Sequence, residues 1–152
     1  MNIKRIEADI TTARNNISEN GNPTNDEYLY DISAYHTQQA VEKCLKYLLH
    51  DVYGEDDTTR QFKTHNISTL LLKLNQYDKD FLSNHQELVE WSDEITSWEA
   101  STRYGTDLVA TKNKINEVLN YTDTLIEEIK GYEKSQSIEQ NEPDISDSLE
   151  ER

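Results

Sequence analysis

The 152-residue chain is poor in the residues that interrupt regular structure, with four glycines and two prolines. So few breakers exclude a fold of many short strands joined by tight turns. A single cysteine excludes an internal disulfide. No apolar run approaches the roughly 18 residues of a membrane-spanning helix, and the first ten residues carry no apolar signal-peptide core. We therefore expect a soluble protein of the cytoplasm.

Positive charge is also scarce. Lys and Arg number 15 against 30 Asp and Glu, and the formal net charge is −15. A chain this acidic repels phosphate backbones and anionic lipid headgroups. We expect neither non-specific binding to DNA nor attachment to a membrane surface.

Apolar residues recur at helical spacing in the long segments between these breakers. One stripe comprises Ile3, Ile6, Ile10, Ala13 and Ile17. The segment from Tyr28 to Val52 is apolar on several faces and predicts a central helix, and the polar residues from Tyr53 to Thr64 predict a loop. Further stripes follow at Ile67–Leu74, Leu88–Trp98 and Ile115–Ile129. The pattern predicts an all-α fold, a four- to five-helix up-and-down bundle.

Capping signals and composition set the expected boundaries. Thr24 and Glu27 form a capping-box pattern before the central helix, and Asp107 can cap the last one. Gly131 is expected to close that helix. Residues 132–152 hold seven acidic residues against two basic ones and few apolar groups. We expect a single helical domain over 1–131 and a disordered acidic tail over 132–152.

Few residues suit metal or nucleophilic chemistry. The four histidines have no HExxH or CxxC companion, and no glycine-rich phosphate loop occurs. Cys44 sits among apolar residues, where a thiol is inert. The sequence thus predicts no metal, no cofactor and no catalytic residue.

One polar cluster lies on the central helix. His36, Gln39 and Lys43 follow one another at i, i+3 and i+7 and share a face. Buried polar groups are costly unless they are paired or open to a groove. Two interpretations stay open: a hydrogen-bond network that fastens two helices, or a groove for a phosphate or a base.

A second cluster lies at the junction of the last two helices. Arg103 offers a fork suited to phosphate, and Tyr104 offers a stacking face. The alternative is a structural corner in which Arg103 pairs with a carboxylate. Arg60 and His65 form an Arg-x4-His spacing in the predicted loop, which in an RNase can steady a phosphate and move a proton.

Three blocks of the chain resemble the HEPN family, small all-helical domains. They are Ala34–Leu49 (AYHTQQAVEKCLKYLL), Thr64–Leu71 (THNISTLL) and Ser101–Tyr104 (STRY). The resemblance implies a helical bundle that forms a homodimer and is often encoded beside a minimal nucleotidyltransferase. Many members are RNases or toxins, with an R-x4-6-H motif near the position of Arg103. Here no histidine follows His85, so the expected motif is missing.

The leading functional hypothesis is a non-catalytic HEPN-type binding module in a toxin–antitoxin or defence-type system. Its groove of His36, Gln39, Lys43, Arg103 and Tyr104 would bind a nucleotide, an RNA phosphate or a nucleotidyltransferase partner. One alternative is a metal-independent RNase toxin using Arg60 and His65. Another is a purely structural adaptor, with Trp91 and Trp98 available for an interface, although their helical spacing favours the core.

Overall fold

The computed structural model of the protein describes residues 2–19, 30–104 and 110–150, and within them the side chains of 2–17, 30–99 and 110–135. In these ranges the backbone is helical and forms no strand. Its elements are α1 (Ile3–Glu19), α2 (Asp31–Tyr47) with a π-helical continuation (Leu48–Val52), α3 (Arg60–Lys63), α4 (Ile67–Tyr77), α5 (Phe81–Asn84), α6 (Gln86–Tyr104) and α7 (Lys112–Glu150). The predicted all-α fold is confirmed.

The helices pack around α2. It contacts α1, α4, α6 and α7, and its apolar residues are buried on several sides, among them Ala34, Val41 and Leu45. A helix enclosed by four neighbours has no wholly solvent-facing side, which is why its sequence lacks a simple amphipathic stripe. The central position predicted for this segment is thus observed.

The predicted stripes on the other helices face this core. The α1 stripe from Ile6 to Ile17 is buried, as are Ile67, Leu70, Leu71 and Leu74 of α4 and Ile115, Val118, Leu119, Leu125, Ile126 and Ile129 of α7. On α6, Trp98 is 2% exposed, while Trp91 is partly buried and packs on the rim of the core. The helical spacing predicted that both tryptophans lie in the core. Trp98 does, whereas Trp91 lies at its edge.

The polar segment after α2 is more ordered than its composition predicts. Gly54 adopts φ +75°, a left-handed conformation that turns the chain after the π-helical residues. The short helix α3 then forms with Thr59 as its cap, since the Thr59 hydroxyl accepts a hydrogen bond from the Phe62 amide at 3.2 Å. Asn66 caps α4 in the same way by accepting from the Thr69 amide.

Helix α7 continues beyond Gly131, where the sequence predicted its end. A single glycine within a helix costs only about 1 kcal/mol, and Gly131 makes no turn here. Contacts with the body of the bundle follow directly: Tyr132 hydrogen-bonds to Tyr53, and the Tyr47 hydroxyl donates to Glu133. The division of the chain into a domain and an acidic tail stays a prediction. The predicted caps Thr24, Glu27 and Asp107 lie outside the described residues.

We predict that truncating the core of α2 is far more costly than the same truncation on the surface. Leu45 is fully buried, whereas Leu72 of α4 is 57% exposed. Leu45→Ala should lower the free energy of unfolding by about 2–5 kcal/mol, and Leu72→Ala should change it by less than about 0.5 kcal/mol. Urea denaturation followed by circular dichroism measures both, and equal losses would contradict this packing.

Candidate functional site

The predicted polar face of α2 lies against α1, where Asp9 holds two of its residues. The Asp9 carboxylate is nearly buried, with its side chain 11% exposed. His36 Nδ1 lies 2.9 Å from Asp9 Oδ1, and Lys43 Nζ lies 2.5 Å from Asp9 Oδ2. Because both bonds lie in a partly desolvated seam, they tie α1 to α2 more firmly than an exposed ion pair would.

Gln39 belongs to a second, deeper network. Its amide nitrogen donates to Gln38 Oε1 at 2.7 Å, and the Gln38 amide donates to Glu42 Oε1 at 2.9 Å. Glu42 also accepts from Lys46 Nζ at 3.0 Å. Gln38 is fully buried, and Glu42 and Lys46 nearly so. These donors compensate the burial of the Glu42 carboxylate, because they satisfy its oxygens with hydrogen bonds.

The same carboxylate reaches the surface through His65. Glu42 Oε1 lies 2.9 Å from His65 Nδ1, and the His65 side chain is 50% exposed. An imidazole held at Nδ1 by a carboxylate presents Nε2 outward, the arrangement of a general base. Arg60, on the exposed first turn of α3, precedes it by five residues. Glu42 therefore fixes the orientation of His65. The sequence predicted a polar loop here and gave no sign of this contact.

The five predicted site residues are only partly brought together. His36 and Lys43 share Asp9, while Gln39 joins the neighbouring Glu42 network. The backbone of Arg103 and Tyr104 forms the last turn of α6, and their side chains lie outside the described residues. For the described part of the cluster, the geometry matches the helix-fastening interpretation that the sequence left open.

The other prominent feature is a furrow along α7, here called the α6–α7 furrow, whose opposite wall is α6 at the upper end and residues 78–85, with α5, at the lower end. Its upper cavity of about 610 Å³ is lined by Trp91 and Tyr121 with Glu87, Glu90 and Glu117. Its lower cavity, about 680 Å³, is lined mainly by Asp78, Phe81, His85, Glu128 and Tyr132. Sequence reasoning did not predict this furrow, since its lining comes from four separate elements.

His85 joins the two walls of the furrow. Its Nδ1 lies 2.8 Å from the Phe81 carbonyl oxygen, and its Nε2 lies 2.9 Å from Glu128 Oε1. Its ring stacks on Phe81 with centroids 4.1 Å apart. Burial by itself lowers the pKa of His85. The hydrogen bonds to Glu128 and Phe81 and the charges of Glu128 and Asp78 outweigh burial and raise this pKa above its ordinary value.

The tyrosines around the furrow report its negative potential. Burial and the charges of Glu128 and Glu87 raise the pKa of Tyr121 to about 12. Burial, a hydrogen bond to Tyr132 and nearby carboxylates raise the pKa of Tyr53 as well. Both phenols therefore stay neutral, and added positive charge is favoured here.

Within the described residues, no group of three or more His, Cys, Asp and Glu is placed to hold a metal ion. Cys44 is fully buried, and burial, aided by the charge of Glu128, raises the pKa of its thiol. Its sequence assignment to the core is confirmed. In the described parts of the chain no helix is long and apolar enough to cross a membrane.

Comparison with known families explains the architecture. A family model described as HEPN domain matches residues 3–132, which is most of the chain. The chain belongs to the HEPN domain family. Searches of curated proteins and of solved structures gave no match. The resemblance read from the three sequence blocks is thus confirmed at the level of the family.

Three residues central to this HEPN domain escaped sequence reasoning: Asp9, Glu42 and Glu128. Each is a carboxylate on a helix otherwise assigned by its apolar stripe, in a chain with 30 acidic residues. Asp9 carried the clearest signal, because it directly precedes Ile10 and lies beside the buried stripe of α1. A carboxylate at the edge of such a stripe requires a cationic partner across the helix seam.

We predict that Glu128→Gln lowers the pKa of His85. The substitution removes the negative charge that raises this pKa, while burial continues to lower it. A histidine whose pKa is raised on folding adds stability below its unfolded pKa of about 6.5. That stability is lost as pH rises through the folded pKa. The wild type should therefore exceed the variant in stability most at pH 6 and least at pH 9. Histidine NMR titration and urea denaturation test this, with the neighbouring exposed Glu127→Gln as control. An unchanged His85 pKa in Glu128→Gln would contradict it.

Proposed function

We propose that this HEPN domain is a non-catalytic binding module whose partner is another protein. One observation carries the proposal: the two described basic side chains of the predicted phosphate surface, His36 and Lys43, are already held by Asp9. A phosphate entering there competes with a nearly buried carboxylate at 2.5 Å from Lys43 Nζ. Protein partners, by contrast, do not require a free cation.

The charge of the whole chain supports the same choice. With a formal net charge of −15, the protein repels nucleic acid at long range. Inside the bundle the cations are also compensated, as Lys46 pairs with Glu42 and Lys73 with Glu55. Recognition of RNA or free nucleotide through the described surfaces is therefore disfavoured.

The family resemblance suggests the identity of the partner. HEPN domains are often encoded beside a minimal nucleotidyltransferase, and we propose a protein of that kind as the partner, in a toxin–antitoxin or defence-type system. The homodimer and the cytoplasmic location expected from the sequence remain predictions.

The proposal predicts that calorimetric titration with ATP, GTP or a short RNA releases no binding heat. A minimal nucleotidyltransferase encoded beside the gene should bind the purified chain saturably. Arg103→Ala tests the one predicted cation whose surroundings are outside the described residues, with exposed Arg5→Ala as a matched control. Saturable nucleotide binding that Arg103→Ala abolishes and Arg5→Ala leaves intact would overturn the proposal in favour of a phosphate site.

A second candidate, a metal-independent RNase, is favoured by the contact between Glu42 and His65. In such a reaction His65 Nε2 takes the proton of an RNA 2′-hydroxyl, whose oxygen attacks phosphorus to form a 2′,3′-cyclic phosphate, and the 5′-oxygen leaves and takes up a proton from water. Glu42 stabilises the imidazolium that forms, and Arg60 steadies the phosphate. The contact between Glu42 and His65 supplies this candidate with an oriented general base. A binding module has no need of such a base.

Expression in a sensitive host distinguishes the two. As the chain is proposed to be non-catalytic, we expect no growth arrest and no cleavage of added RNA. Growth arrest that His65→Ala relieves, while exposed His50→Ala does not, would favour the RNase. The two histidines are of similar exposure, at 50% and 42% of their side chains, so the comparison isolates the contact with Glu42.

A further inference from the structure

The furrow between α6 and α7 is left open by the way the bundle packs. Both helices pack on α2, and they meet each other through the rings of Trp91 and Tyr121. The cavity of about 610 Å³ lies between α6 and α7 above these rings, and the cavity of about 680 Å³ continues along α7 against α5 and its flanking residues. An open groove along the face of a long helix has the shape that accepts another helix.

The length of the furrow fits a helical segment. Its lining on α7 extends from Glu117 to Ser135. At a rise of 1.5 Å per residue, the 18 steps between these two residues span about 27 Å, or about five turns of helix. A partner segment of similar length can lie along the whole furrow.

Aromatic rings form the apolar part of the upper cavity. Trp91 and Tyr121 are each partly exposed and meet edge to face, with centroids 5.8 Å apart. Lys114 Nζ lies 5.0 Å from the centre of the Trp91 ring. The chain thus already places one of its own cations on this aromatic surface, the contact that a basic ligand would make.

Carboxylates determine which kind of partner fits. Glu87, Glu90 and Glu117 surround Trp91, and Asp78 and Glu128 lie in the lower cavity. At the rim Lys114 Nζ lies 3.4 Å from Glu117 Oε2, and no Lys or Arg is among the described residues that line either cavity. A second copy of this chain, at a formal net charge of −15, brings charge of the same sign. Charge complementarity therefore selects a basic partner.

We propose that the α6–α7 furrow binds a basic amphipathic helix of the partner protein. Apolar side chains of that helix contact Trp91 and Tyr121, and its Arg and Lys side chains pair with the carboxylates on both walls. This inference rests on the proposed function, because it assumes that the partner is a protein, and it adds where and through what chemistry that protein binds.

The test uses the full chain and a synthetic 18-residue peptide, with Leu at helical spacing and Arg at the other positions, labelled for fluorescence anisotropy. We expect saturable binding at low salt and none of the analogue with Glu in place of Arg. The furrow variant Glu87→Gln, Glu90→Gln and Glu117→Gln should weaken binding about tenfold. All three residues are exposed, so their replacement leaves the core unchanged.

A matched control removes the same charge elsewhere. Glu7→Gln, Asp51→Asn and Asp93→Asn alter three exposed acids outside the furrow lining and should change binding less than twofold. Equal losses in the two triple variants would show a general charge effect and overturn the inference. Equal binding of the Glu analogue, or no binding of the Arg peptide, would overturn it as well.

Trp91 gives a direct readout of position. The chain has two tryptophans, so Trp98→Phe leaves Trp91 as the single reporter. Its emission should shift as the peptide saturates the chain, and saturable binding without a shift would place the peptide elsewhere. If the nucleotidyltransferase binds the furrow variant as tightly as the wild type, the furrow inference fails while the proposed function stands.

Discussion

The burial of charge on α2 is the constraint on which the rest of the bundle depends. This helix is enclosed by four others and still carries His36, Glu42, Lys43 and Lys46. An ionised group in such a position is costly unless an opposite charge and hydrogen bonds compensate it. Asp9 supplies that compensation from α1, and Glu42 supplies it within α2 and to His65. The pairs with Asp9 and His65 also specify how the neighbours of α2 meet it, because each joins a particular position on α2 to a particular residue outside it.

Because the charged groups on α2 are paired with one another and with α1, the unpaired acidic residues in the described part of this protein lie mainly at its surface. Lys43 and Lys46 pair with the nearly buried carboxylates of Asp9 and Glu42. The excess of negative charge lies at the surface, and in the α6–α7 furrow Glu87 and Glu90 lie beside the partly exposed rings of Trp91 and Tyr121. Aromatic residues flanked by carboxylates favour protein partners with positive charge over nucleic acid.

His85 links the furrow to the core in a similar manner. The imidazole is buried against Phe81 and paired with Glu128 on the opposite wall. Its protonation strengthens the connection between α5 and α7. Although burial lowers it, the pKa of His85 is raised above its ordinary value, mainly through the hydrogen bond to Glu128. At the upper end the two walls meet through the rings of Trp91 and Tyr121, which stay partly exposed.

The sequence by itself determined the helices, their apolar faces, the central position of α2 and membership of the HEPN family. Those properties follow from spacing along one chain segment, because burial repeats with the period of the helix. Tertiary structure alone decided which carboxylate meets which cation, how His65 is held, and that a furrow opens between α6 and α7. Asp9 and Lys43 are 34 residues apart. The position of Asp9 beside the α1 stripe indicates that it is close to the core, but no local pattern shows which cation folding brings within 2.5 Å of it.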